Sequence, residues 1–200
     1  MSSRLLFLCH ANVARSPSAE RLAAELLAGS EEWQVSSAGT HAPVGRGLDP
    51  DLGDALRARG LSVASHRARQ ADGRLLQDAD LVLAFASEQR EWVARHFASA
   101  ARRTATIRRA ARLARAAPGA DLRELIARDT APYGVEDDFA DPHGRGAAVA
   151  ASAVDDIDGL LRALLPALGA LPADWDPPHP AVLPTRRSLR RARESRAVAS

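Results

Sequence analysis

Lysine is absent from these 200 residues, so all 27 basic side chains are arginines. That usage points to a GC-rich coding bias and hence to a bacterium. Cysteine occurs once, at Cys9, which excludes an internal disulfide and agrees with a reducing compartment. No apolar run approaches the roughly 20 residues of a membrane span. The first residues also lack the charged, long-apolar and small-residue pattern of a signal peptide, so a soluble, cytoplasmic protein is expected. A strong excess of one charge is missing as well, since the formal net charge is +2. Residues 172–200 hold six arginines against Asp174, Asp176 and Glu194, which leaves the body with 21 arginines against 22 acids. Overall charge therefore argues against a nucleic-acid partner. The length suits one core and little more. The expected organisation is one domain over 1–171, with an arginine-rich helical insertion at about 99–130, and a Pro/Arg-rich, disordered tail over 172–200.

What is present alternates in type. Leu5 to Leu8 form an apolar run suited to a strand buried on both faces of a parallel sheet. Ser16 and Pro17 mark a helix start, Ser16 as cap, and Ala19, Leu22, Ala23, Leu26 and Leu27 recur at helical spacing up to Gly29. A second strand is expected over Trp33–Ala38, a helix over about Leu48–Arg59, a weak one near Asp72–Leu76, a third strand within Ala79–Phe85 and a helix over about Ser87–Phe97. Strands alternating with helices predict an α/β sandwich with a parallel sheet. Further on, Ile107, Ala110, Ala111 and Ala114 share one face of a helix. Its other face carries Arg108, Arg109, Arg112 and Arg115 and is expected to be solvated. The run from Tyr133 to Gly146 is acidic and loop-like. A last amphipathic helix follows from Val149 to Leu164, ended or kinked by Pro166.

The chemistry concentrates in Cys9-His10-Ala11-Asn12-Val13-Ala14-Arg15-Ser16-Pro17. Backbone N–H groups in such a loop can point at one centre, and the following helix directs the positive end of its dipole there. A phosphate or sulfate ion is the expected occupant. The same field, with Arg15 and the Ser16 hydroxyl, favours the thiolate of Cys9. Arg15 suits two equatorial phosphate oxygens at once, a geometry lysine cannot copy. A cysteine-dependent phosphatase follows, and it needs a proton donor for the leaving oxygen. Asp141, held in an extended loop by Pro142, is the favoured candidate, with Asp137 and Asp138 as competitors.

On these residues the chain resembles the low-molecular-weight protein tyrosine phosphatases. The stretches carrying the resemblance are Cys9 to Pro17, Trp33 to Thr40, Ser65 to Gln70 and Asp141-Pro142, within a match from Arg4 to about Leu165. The resemblance implies a three-layer α/β sandwich with a four-stranded parallel sheet, no cofactor or metal, and a phosphocysteine intermediate on a phosphorylated protein substrate. It assigns the nucleophile to Cys9, phosphate binding to Arg15 with His10, Ala11, Asn12, Val13, Ala14 and Ser16, and the acid to Asp141. Asn12, Ser16, Ser37 and His66 are implied as a supporting hydrogen-bond network.

Departures from the family pattern define the alternatives. Ala11 stands where glycine is usual, and Ala14 replaces a second cysteine found in many members. The places that often hold aromatic residues carry His143-Gly144 and His41-Ala42-Pro43-Val44, so the wall for a phenyl ring is expected to be thin. A protein arginine phosphatase is one alternative, although similar loops there place threonine where this chain has Val13. A thiol-coupled arsenate reductase is another; such enzymes often have glutamine where Pro17 stands. A non-catalytic phosphate-binding module is the alternative outside enzymes.

Overall fold

The computed structural model describes residues 2–172; the expected tail beyond Pro172 lies outside the described residues. Strands β1 (Ser3–Cys9), β2 (Trp33–Gly39), β3 (Leu81–Ala84) and β4 (Thr104–Thr106) are all parallel, in the order β2-β1-β3-β4. Between and after them run α1 (Arg15–Leu26), α2 (Pro50–Ala58), α3 (Gly73–Asp78), α4 (Ser87–His96), α5 (Ile107–Ala116), α6 (Leu122–Arg128) and α7 (Ala147–Ala167).

Strand alternation divides the core in two. Leu5, Phe7, Leu81 and Leu83 pack with α1, α2, α5, α6 and α7. Leu6, Leu8 and Val82 point the other way, onto Leu76 of α3 and Val93 of α4. Helices on both faces bury β1 from Leu5 onward and all of β3, which is why Leu5 to Leu8 and Leu81–Ala84 read as continuous apolar runs. The result is the expected three-layer α/β sandwich around a four-stranded parallel sheet. Among the described residues no helix is long and apolar enough to cross a membrane.

Two local expectations are corrected. Ser16 does not cap α1: the helix starts at Arg15, its N-cap is Ala14, and no side chain caps it. The Ser16 hydroxyl instead turns inward, 3.0 Å from Cys9 Sγ. The stretch at about 99–130 holds α5 and α6, and it also supplies β4, whose three residues are too few to show a periodic pattern.

The arginine face of α5 is not a solvated surface along its length. Arg109 is buried and forks Asp129 through Nε and Nη2, both at 2.7 Å. Arg112 reaches Asp137 at 2.8 Å, and Arg108 lies over the Phe139 ring. Only the tertiary fold brings the acidic stretch 129–138 back across α5, so its charges meet arginines that a helical wheel leaves facing water. That clamp leads the chain directly into Asp141.

Candidate active site

β1 ends at Cys9, in register with Gly39 of β2. Thr40 N donates to Cys9 O and His41 N to His10 O, so the loop after β1 lies against the chain leaving β2. Only glycine fits this approach: a Cβ at residue 39 would stand 2.6 Å from His10 O and 2.9 Å from Asn12 N. Asn12 takes a left-handed conformation, φ +54°, which asparagine tolerates better than most residues. Ala11, by contrast, has no positive φ and is partly exposed, so its methyl group fits where glycine is usual.

Asn12 is fully buried and uses its whole side chain. Nδ2 donates to Ser16 Oγ (2.9 Å) and Ser37 Oγ (2.8 Å), while Oδ1 accepts from Arg69 N (3.0 Å). His66 Nε2 donates to the Asn12 carbonyl at 2.8 Å; since a carbonyl only accepts, this fixes the proton on Nε2. Burial pushes the imidazole below its usual pKa, which suits a neutral ring. Ser37 Oγ donates in turn to Glu20 Oε2 (2.5 Å). The structure thus brings Asn12, Ser16, Ser37 and His66 together. It adds Glu20, which sits in no recognised motif, and Arg69, which lies within the Ser65 to Gln70 stretch but contributes through its backbone N–H, a group that residue identity does not announce.

Cys9 is buried, and Asn12 N donates to its Sγ at 3.2 Å. Ser16 Oγ already accepts from Asn12 Nδ2, so its single proton is left for Sγ at 3.0 Å or Ala38 O at 3.3 Å. A sulfur carrying negative charge finds two donors here. The start of α1 adds its unpaired N–H groups and dipole.

Arg15 stretches across the mouth of the loop. Its Nη1 donates to Phe139 O at 3.1 Å and its Nη2 to Asp141 Oδ2 at 2.8 Å. Phe139 is fixed in turn, its N–H donating to Phe85 O at the end of β3 and its ring edge-on to that of Phe85. Cys9, Ala11, Val13, Ala14, Arg15, Asp141 and His143 line one small pocket. The two competing aspartates are engaged elsewhere. Asp137 is buried beneath Arg112 and accepts from Gly134 N, and Asp138 Oδ1 accepts from Ser87 N and Oγ at the start of α4.

Beside the loop lies an aromatic surface that the sequence did not reveal. The exposed His10 and His41 rings stack with centroids 4.8 Å apart, and His41 meets Trp92 of α4 edge-on at 6.5 Å. Some 50 residues separate His41 from Trp92, so no local pattern announces the pairing.

The model of the low molecular weight phosphotyrosine protein phosphatase family matches residues 4–170. The chain belongs to that family. Low molecular weight protein-tyrosine-phosphatase Wzb of Salmonella typhi is 41% identical over 83 residues, 42% of this chain. That aligned stretch spans 54% of Wzb, so the chain matches about half the length of this curated relative. Among solved structures, a low molecular weight protein tyrosine phosphatase from T. tengcongensis is 27% identical with a TM-score of 0.66, over 82% of this chain and 98% of that one. The YwlE arginine phosphatase from Geobacillus stearothermophilus is 26% identical with a TM-score of 0.67, covering 88% and 99%. The family member described here therefore shares its fold with phosphatases named for two different substrates.

Proposed function

We propose that the protein hydrolyses aryl phosphate monoesters, phosphotyrosine above all, through a phosphocysteine intermediate. The observation that carries this reading is the meeting of Cys9 and Arg15, from the loop after β1, with Asp141, from a segment 126 positions beyond Arg15, around one pocket. Family membership supports it. A phosphate dianion sits in the loop with its oxygens on backbone N–H groups of residues 10–16 and on the Arg15 guanidinium. The Cys9 thiolate attacks phosphorus, and the bond to the aryl oxygen breaks as Asp141 gives that oxygen its proton. Water then attacks the phosphocysteine, its proton returns to Asp141, and inorganic phosphate and the thiolate are released. Ser16 donates to the thiolate whenever it is the leaving group. Asn12, Ser37 and His66 hold the loop open.

The flat rings of His10, His41 and Trp92 beside the loop support an aryl substrate over an alkyl one. A protein arginine phosphatase is the second reading, favoured by the likeness to YwlE; the apolar, buried Val13 at the loop's crest weighs against it. We place the protein in a bacterial cytoplasm and treat residues 1–171 as the phosphatase domain. Turnover of phosphotyrosine and phosphoarginine peptides, compared with Cys9→Ser and Asp141→Asn, tests the proposal. Phosphotyrosine turnover lost in Cys9→Ser supports it. Equal, slow rates in wild type and Cys9→Ser would leave a phosphate-binding module, and turnover of phosphoarginine alone would transfer the assignment to the second reading.

A further inference from the structure

We propose that Asp49 is the positioning residue that holds Asp141 over the loop, acting through His143 and Gly144; the inference rests on the function proposed above. Asp49 precedes α2 and its side chain is nearly inaccessible. Oδ1 accepts from Leu52 N at 3.1 Å and so caps the helix. Oδ2 accepts from His143 Nδ1 at 2.7 Å and from Gly144 N at 3.2 Å. Burial alone raises the carboxyl's pKa, but the donors from Leu52, His143 and Gly144 outweigh it and hold the group below the usual carboxylate range. Through its own N–H, which donates to Val13 O at 2.7 Å, Asp49 is also tied to the phosphate loop. One buried anion thus joins the loop that binds phosphate to the segment that carries the acid.

The need for such an anchor appears when substrate binds. Asp141 is half-exposed, and its side-chain partners are Arg15 Nη2 at 2.8 Å and the backbone N–H of His143 at 3.2 Å. A bound phosphate takes the Arg15 guanidinium for its own oxygens, so the first of these contacts is given up before the proton is needed. What then keeps Asp141 in place is the chain on either side. Upstream it is pinned by Phe139 N on Phe85 O. Downstream, Gly144 and Gly146 both have positive φ and lend the segment no stiffness of their own. Asp49 supplies the downstream pin. An acid displaced by an ångström transfers its proton poorly while attack on phosphorus is unaffected.

The test compares kcat/KM on phenyl phosphate, whose leaving oxygen needs a proton, with dinitrophenyl phosphate, whose leaving group does not. Asp49→Asn keeps an oxygen for Leu52 N, so the helix cap survives. Its amide nitrogen then confronts Gly144 N, donor against donor. The expected result is a loss of about tenfold or more on phenyl phosphate and less than about threefold on dinitrophenyl phosphate. His143→Ala should show the same selectivity, and His143→Asn, whose Nδ2 can stand in for Nδ1, should recover most of the loss. Equal losses on both substrates, or no loss on either, would overturn the assignment. An Asp141→Asn variant without this selectivity would overturn the acid assignment itself, and Asp49's role with it, which separates that failure from the failure of Asp49 alone.

Discussion

The guanidinium of Arg15 and the carboxylate of Asp141 are paired at 2.8 Å, across 126 positions of sequence. In the proposed mechanism these groups serve opposite ends of the phosphate, one the equatorial oxygens and the other the leaving oxygen. A carboxylate oxygen therefore stands where phosphate must compete for the same Nη2. Removing that charge, in Asp141→Asn, should tighten binding of inorganic phosphate or vanadate severalfold while lowering kcat/KM on phenyl phosphate by about a hundredfold. Inhibition constants and turnover measured on the same preparations check both. Weaker anion binding in the variant would show that Asp141 does not compete for Arg15.

Gly39 sets how closely the phosphate loop lies against β2. Since a Cβ there would press on three backbone atoms of residues 10–12, Gly39→Ala must push the loop outward. Activity on any aryl phosphate should fall at least about tenfold with only a modest change in melting temperature. Undiminished turnover would mean that the loop's position is not critical.

Network and strand order were unequally legible in the amino-acid sequence. Cys9 to Pro17 is continuous in the chain, so its strand and loop could be read locally; the Asp-Pro pair marked Asp141 as the favoured acid, and resemblance extended the reading to Ser37 and His66. Asp49, Glu20 and Arg69 went unnoticed because each acts across a long sequence separation and belongs to no periodic pattern. Asp49 carried a signal nonetheless: Asp-Pro before an apolar run is a helix start, and reading the helix from Leu48 passed over it. The α5 arginines misled for a related reason. Helical spacing shows which side chains share a face and says nothing of the acidic segment folded over it.

His66 makes the loop sensitive to acid. Its folded pKa lies below the ordinary 6.5 because the ring is buried, so between that value and its folded pKa the unfolded chain takes up a proton that the native state refuses. Stability should be fully present above about pH 6.5 and decline as the pH falls below it. His66→Gln, which keeps a donor for Asn12 O, should flatten that part of the curve. Thermal melts from pH 5 to pH 8 give the comparison; identical slopes in the two proteins would exclude His66 as the source.

Arg109 and Asp129 form a nearly buried, two-pronged pair under the segment leading to Asp141. The hydrogen bonds from Arg109 hold Asp129 below the usual carboxylate range, so its contribution is present above about pH 4 and lost as the pH falls through its folded value. Asp129→Asn leaves a buried guanidinium short of its partner and should cost about 3 kcal/mol by denaturant unfolding. A cost below about 0.5 kcal/mol would make the pair a bystander.

Identification of the phosphorylated residue tests the central claim most directly. The full chain, mixed with an aryl phosphate and quenched in acid within one turnover, is digested and its peptides are weighed. One phosphoryl group on the peptide holding Cys9, absent from Cys9→Ser, is the predicted result. Rapid turnover with no phosphoryl group on Cys9, or turnover persisting in Cys9→Ser, would contradict the account.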